Sequence, residues 1–501
     1  MRALDLVIIA SYLVAILWIG FRARGRQKTT RHYFLAGRNL PWWAISGSIV
    51  ATETSAITFV SIPGLAYSRG GNFTFLQLVF GYLVGRVVIC FLFIPAYFKR
   101  TLLTVYELLQ EHFGAAVKRL AAILFIVMRT VADGVRLLLT SVVMAVVWKS
   151  FSPDLAVTHA TAISICIIGA VMLLFTTVGG MEAVIWTEVL HVGVYVIGAI
   201  VAVATLLARI PGGFSGAVAA GSAFHKFRVL DFALDFHRPY VFLAGVIGGC
   251  FLNMSTHGSD QYMVQRYLCT TSARKAKLAL LVSGLVILVQ FIGFLFIGVL
   301  LFAYYRPDHL ATYASGAASA PFLAPDQVFP DFIVNHMPLG ISGLLIAAVL
   351  AAATSPSVNS IAATAVSDLY RPLVRGRADE HYLSVSRWLT VVAGLCQIGV
   401  ALLLRSQHRS AVDMALSVAS LVNGPILGVF LLAAANRRAG GKAALAGMLA
   451  GLGAVTWVWL GTAVAWPWYT VVGSLVTLSV GLVAGQFPHR STEQPVQQTE
   501  V

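Results

Sequence analysis

An all-α polytopic membrane protein with about thirteen transmembrane helices is the fold class that the sequence predicts. Three observations predict it. Hydrophobic residues make up 58% of the 501 and charged residues only 11%, where a soluble chain carries about 25% charged. Apolar runs of about 20 residues, the length that crosses a bilayer, recur from end to end. "LDLVIIASYLVAILWIGF" and "LALLVSGLVILVQFIGFLFIGVLLFA" are two of them. Two further runs are apolar yet interrupted by hydroxyls, glycines and a proline. The short alternating segments of a membrane β-barrel do not occur.

In chain order the predicted spans are 4–21, 42–67, 73–98, 119–148, 158–177, 184–208, 240–259, 277–305, 333–366, 385–404, 412–434, 443–463 and 467–486. The first is an extra N-terminal span, and the others are numbered one to twelve. It begins Met-Arg, lacks a small-residue cleavage site and ends at Phe21-Arg22, so it reads as an uncleaved span and not a signal peptide. Residues 1–487 form a single transporter-like domain: a first repeat at about 42–208, a second at about 240–434, and two further spans at 443–486. Residues 488–501 are polar and rich in Gln and Thr, the composition of a disordered tail.

The formal charge of +15 does not signal nucleic acid, because the basic residues sit in short loops between apolar runs. "RARGRQKTTRH", "SARKAK", "RPLVRGR" and "NRRAGGK" all fall on one side if the N-terminus is outside. The longest loops, 209–239 and 306–332, fall on the other and carry little charge for their length. This bias predicts an N-out, C-in protein of a bacterial inner membrane, in contact with lipid. The five cysteines show no metal-ligand spacing, and most sit inside apolar runs.

The interrupted runs are spans one and six. Span one contains "TETSAITFVSIPGLAY", with Pro63-Gly64, and span six contains "GVIGGCFLNMSTHGSDQ". They are the matching first helices of two five-span repeats, and broken helices in corresponding positions mark a transporter's central site. Unwound backbone at membrane depth survives only where it lines a cavity or is buried in protein.

Intramembrane ionisable residues are functional candidates. Glu53 sits beside the interruption in span one. It either binds a cationic or hydroxylated solute or holds the break together. Arg86 lies in span two and calls for a carboxylate partner. Arg129, Asp133 and Arg136 of span three are spaced i, i+4, i+7 and share a helix face. A structural ion-pair ladder is the plainer account of them. Glu188 and His191 follow "TTVGGMEAVIWTEVLH" near the start of span five. They form either an interfacial pair at a helix N-terminus or an ion or proton step.

Several stretches resemble the sodium:solute symporter family: "YFLAGRNLPWWAISGSIVATETSAITF", "TTVGGMEAVIWTEVLH", "SDQYMVQRYL" and "NSIAATAVSDLYRP". The resemblance runs from about residue 30 to about residue 440. It implies a leucine-transporter-like fold, two inverted five-helix repeats and alternating access. It also implies that Ala51 and Thr54 offer backbone carbonyls to a sodium ion, with Val349 as a third carbonyl. Thr58, Gln77 and Asn253 match solute contacts of the sugar carriers, and Gln290 and Ser417 fall near others. Thr256 and His257 stand where those carriers have an aromatic gate pair, which argues against a sugar. His257 either binds an anionic solute when protonated or is hydrogen-bonded in the core.

The family's two adjacent sodium-binding hydroxyls, sixteen residues before the aspartate of its "D-[IL]-Y" end, correspond to Ala352 and Ala353 here. Sodium is a hard cation that wants oxygen, and two methyl groups supply none. The side-chain shell is therefore incomplete. A second sodium position in some members matches Glu188 and Ser355. The function implied is sodium-coupled import of a small polar or anionic solute, with no cofactor beyond Na+ as coupling ion and no enzymatic activity. A proton-coupled or ion-independent carrier of the same fold is the alternative, raised by the alanine pair. A membrane sensor is a further one, disfavoured because only about fifteen residues follow the last span.

Overall fold

A computed structural model describes residues 3–24, 29–100, 102–151, 157–305, 325–352, 357–405, 411–436 and 439–486. Among these residues the chain is all helical, with no strand. Six helices are long and apolar enough to cross a membrane: Leu76–Phe98, Gly180–Arg209, Ala273–Tyr305, Asp379–Leu404, Gly441–Gly461 and Pro467–Ala484. A bent pair in span one and shorter apolar helices such as Leu4–Ile16, Thr158–Leu174, Ile341–Ala351 and Ala419–Ala435 complete the bundle. Phe91, Val289, Leu403 and Trp457 stand exposed on these helices, as side chains that face acyl chains do. The protein is an integral membrane protein. The predicted tail, and the loop 306–332 up to residue 324, lie outside the described residues.

Span one is broken at Thr54–Ser55, between helices Trp42–Glu53 and Ala56–Tyr67, with a bend of 53°. The proline is not the cause. Pro63 lies inside the second helix, and Pro63-Gly64 serves close packing instead. A Cβ on Gly64 would come within 2.6 Å of the Pro325 carbonyl, and one on Gly298 within 2.2 Å of the Pro63 carbonyl. Two hydroxyls line the break. Thr58 Oγ1 donates across it to the Glu53 carbonyl (2.7 Å), a backbone group at the end of the first half-helix, while Thr54 Oγ1 adds to the Val50 carbonyl (2.7 Å) that the Thr54 N–H already engages (2.8 Å).

Span six likewise does not part at its glycines. Wide π-type turns run through Ala244–Gly248 and Met254–Ser259, a form often found at functional sites. The chain becomes extended only at Asp260 (φ −91°, ψ 123°). The Asp260 carboxylate then caps helix Gln261–Leu268 by accepting from the Tyr262 N–H at 2.8 Å. The glycines bring this segment backbone-to-backbone against helix Leu76–Leu92. A Cβ on Gly81 would lie 2.6 Å from both the Gly245 and Val246 carbonyls, and one on Gly249 2.6 Å from the Leu78 carbonyl. Small residues allow this approach.

Spans four and five form one stretch, Val157–Arg209, kinked at Gly180 (φ 56°, ψ −169°), a conformation open to glycine and strained for other residues. The extra N-terminal helix, Ala3–Arg24, packs on this stretch and on helix Ile341–Ala352. Its Asp5 carboxylate accepts from the N–H groups of Gly340 (2.9 Å) and Gly343 (3.1 Å), an anion at a helix N-terminus.

The close crossing of spans two and six is expected to be intolerant of bulk. Gly81→Val should destabilise by about 1–3 kcal/mol through overpacking, measured as a lower midpoint of thermal unfolding in detergent. Gly293→Ala, where an added Cβ meets nothing within 4 Å, should leave the midpoint unchanged.

Candidate functional site

Helices that break in the membrane turn polar groups toward one another, and here they enclose a cavity of about 190 Å³. Glu53, Thr58, Arg129, Arg136, Asn253, Thr256, His257 and Tyr262 supply its polar wall, and Ile62, Phe75, Leu252 and Phe291 part of its apolar one.

Glu53 is ion-paired with Arg86 of span two, which is buried. The same carboxylate oxygen meets His257 Nε2 at 2.6 Å. His257 Nδ1 lies 3.2 Å from Asn253 Nδ2 and 2.9 Å from Thr256 Oγ1. An amide nitrogen only donates, so in this arrangement Nδ1 accepts from Asn253 and Nε2 carries the proton toward Glu53, while the Thr256 hydroxyl donates to the Leu252 carbonyl at 3.0 Å. Four predicted site residues therefore form one network, with Arg86 as the carboxylate's ionic partner.

The second charged group sits on span three. Arg129 pairs with Asp260 at the break of span six, and Arg136 with Asp133 at 3.3 Å. The sequence spacing suggested a ladder within one helix, but half of the pairing crosses to span six. Tyr262 lies among these cations. Arg129 stands 4.4 Å over its ring centroid, Arg266 4.4 Å and Arg136 5.9 Å, and Arg136 donates to its hydroxyl at 3.2 Å. Cation–π contact favours this clustering.

Glu188 is buried away from the cavity, and its partner is not His191. Arg266 Nη2 donates to it at 2.7 Å, Thr52 Oγ1 at 3.1 Å, and Ser48 Oγ also donates. The kink at Gly180 leaves Glu188 in mid-helix, so the interfacial pair at a helix N-terminus does not form. His191, one turn on, faces Tyr12 of the extra span instead.

The remaining candidates are scattered. Gln77 is fully buried outside the cavity wall. Its amide donates to the Tyr240 carbonyl (2.9 Å) and accepts from the Asp231 N–H (3.0 Å). Gln290 meets Thr54 Oγ1 at 2.7 Å. Ser417 is half-buried, and its helix reaches the cavity through Ala419. Ala51 and Val349 are buried, and Ala352 ends helix Ile341–Ala352. Ala353 and Ser355 lie outside the described residues. Among the described residues no group of three or more His, Cys, Asp or Glu is arranged to hold a metal ion. Sodium would rest on carbonyl and hydroxyl oxygens.

The family model described as sodium:solute symporter family matches residues 33–451. The chain belongs to the sodium:solute symporter family. It is 30% identical to a sodium/sialic acid symporter of Aliivibrio fischeri over 95% of this chain and 92% of that protein. It is 29% identical to the human sodium/iodide cotransporter over 89% of this chain and 67% of that protein. The solved structure of a Na+-coupled sialic acid symporter in a substrate-bound outward-open state aligns with TM-score 0.84 and 27% identity, covering 97% of this chain and 98% of the other. As a family member this chain is a secondary transporter.

Arg266 and Tyr262 were not assigned roles from sequence, although both lie in the quoted "SDQYMVQRYL". Glu188 lies 78 positions from Arg266 and Arg136 lies 126 from Tyr262, separations that no local pattern signals. The buried Glu188–Arg266 pair yields a prediction. Glu188→Gln should cost about 3–5 kcal/mol, because it strands a buried guanidinium. Adding Arg266→Met should recover most of that loss. Denaturation of the two single variants and the double variant in micelles measures the coupling, and strict additivity would contradict the pairing.

Proposed function

We propose that this protein imports a small carboxylate together with sodium by alternating access. The observation that carries the reading is the pair of guanidiniums, Arg129 and Arg136, on the wall of a cavity set between the breaks of spans one and six. A carboxylate there accepts charge-assisted hydrogen bonds in a low-dielectric setting, while Asn253, Thr256 and Thr58 offer neutral polar contacts. Relatives that carry sialic acid and monocarboxylates have anionic substrates, which agrees with this choice. The architecture we assign has thirteen spans, with two inverted five-helix repeats that each begin in a broken helix. The basic loops are cytoplasmic and the membrane is a bacterial inner one.

Sodium is assigned to the backbone carbonyls of Ala51, Thr54 and Val349, beside Ala352 and Ala353. Glu188 is occupied by Arg266, which speaks against its serving, with Ser355, as a second cation site or as a proton carrier in this conformation. It is a carrier and not an enzyme.

Uptake of labelled N-acetylneuraminate and of lactate into proteoliposomes tests the substrate class. Arg136→Gln is expected to raise the half-saturating concentration about 10- to 100-fold, the worth of a hydrogen bond between charged groups at about 1.5–3 kcal/mol. An unchanged value with both solutes would reject the assignment. Equal uptake in sodium and choline buffers would reject sodium coupling and leave the proton-coupled or ion-independent carrier.

The alanine pair gives a separate expectation. Ala352→Ser with Ala353→Ser adds two oxygen ligands for a hard cation. The sodium concentration for half-maximal uptake should fall in the double variant, read from a sodium titration at fixed solute.

A further inference from the structure

Lys226 belongs to none of the groups above, and it is buried. It follows helix Gly213–Ala223, after a turn in which His225 adopts a left-handed backbone (φ 53°). That turn, closed by the Lys226 N–H on the Gly221 carbonyl at 2.9 Å, aims the side chain into the bundle. Its ammonium is surrounded by main-chain carbonyls at the end of the second half of span one. It donates to Ala66 O at 2.8 Å, Ser68 O at 2.8 Å, Gly71 O at 3.2 Å and Tyr67 O at 3.3 Å. The ring of Phe302, from helix Ala273–Tyr305, lies 4.3 Å from the nitrogen.

A ring of carbonyls is a cation site by its chemistry, and the C-terminal end of a helix adds negative potential. The cradle is also placed to matter. Helix Ala56–Tyr67 carries Thr58 and Ile62 on the cavity wall and has no covalent continuity of helix with the first half of its span. Its far end packs on helix Ala273–Tyr305 where Pro63 meets Gly298, and the ammonium adds a polar fastening just beyond that contact, between the carbonyls and Phe302.

We propose that Lys226 is a positioning residue for the second half of span one, a tethered cation whose four-carbonyl cradle accepts a free alkylammonium once the side chain is truncated. The proposal rests on the transport reading only in treating the Thr58 wall as the solute cavity, and its test uses no solute.

The test uses the full chain in detergent, with Ile62→Cys, on the same half-helix and the same cavity wall, as reporter and a charged methanethiosulfonate as reagent. Modification at position 62 is followed by peptide mass spectrometry. Lys226→Ala is expected to raise the modification rate several-fold and to lower the unfolding midpoint. Propylammonium, which replaces the atoms removed, should restore both, since a ligand of the native state raises apparent stability. Choline should restore neither. Lys226→Met, whose chain fills the same channel without charge, should show the raised rate and no rescue. A rate in Lys226→Ala equal to that of the parent, or no response of that variant to propylammonium, overturns the proposal. If the alanine variant aggregates on extraction, propylammonium in the extraction buffer should yield a monodisperse protein, and failure to do so also overturns it.

Discussion

The interruption of span one at Thr54–Ser55 is the constraint on which the rest of the structure depends. A helix broken at membrane depth frees backbone carbonyls and N–H groups where bulk water cannot reach them. The chain meets part of that demand locally, with the Thr58 hydroxyl reaching across the break to the Glu53 carbonyl. It then meets the geometric consequence. Two half-helices bent by 53° cannot close-pack against straight neighbours along their whole length, and the space left at the bend becomes a cavity. Glu53, the last residue of the first half, faces that space and draws Arg86 and His257 to it.

Charge follows from the cavity. Placing arginines in a low-dielectric bundle is costly unless each has a counter-ion, and the described geometry provides one for each. Arg86 has Glu53, Arg129 has Asp260, Arg136 has Asp133 and Arg266 has Glu188. The pairs are not equal. Three include a charge-assisted hydrogen bond. The Arg136–Asp133 contact is an ion pair at 3.3 Å in which neither Asp133 oxygen makes a hydrogen bond. Arg136 is also the more exposed of the two cavity arginines, at 16% against 10% for Arg129. Of the two, Arg136 therefore presents more of its side chain to an entering carboxylate.

Six of the predicted spans, such as 277–305 and 467–486, return as helices of membrane-crossing length, and they were legible in the sequence because hydropathy over bilayer length is a strong signal. The predicted span 333–366 instead begins inside helix Val328–His336, and a new helix starts at Ile341. The interruptions were legible as regions, since hydroxyls and glycines in an apolar run have few other uses. Their positions were not. Pro63 drew attention as the helix-breaker, yet it sits inside a helix, and the hydroxyls that line the break look like any other threonines. Glu53, Asn253, Thr256 and His257 were chosen from sequence and converge. Gln77 was chosen on the same grounds and fastens a loop instead. The difference lies in which face of helix Leu76–Leu92 points to the cavity. The side of this helix that faces lipid is as apolar as its packed side, so it carries too little amphipathicity to report that face. Ion-pair partners were illegible for a related reason. Any buried arginine needs a carboxylate, but the rule names no carboxylate in particular.

The same limit bears on the alanine pair. Ala352 and Ala353 remove two oxygens at a position where the family resemblance expects them, and the second carboxylate of interest, Glu188, is already matched by Arg266. A site that holds sodium mainly through main-chain carbonyls depends on backbone geometry more than a site lined with serine side chains does. Two of the three carbonyls proposed for it, those of Ala51 and Thr54, lie on the lip of the break. Their directions would follow the geometry of the break and the seating of the half-helix Ala56–Tyr67. Solute and ion would then be coupled through one mechanical element. A carboxylate in the cavity, whose wall includes residues on both sides of the break, and a cation at those carbonyls would both bear on the break, without needing to touch each other.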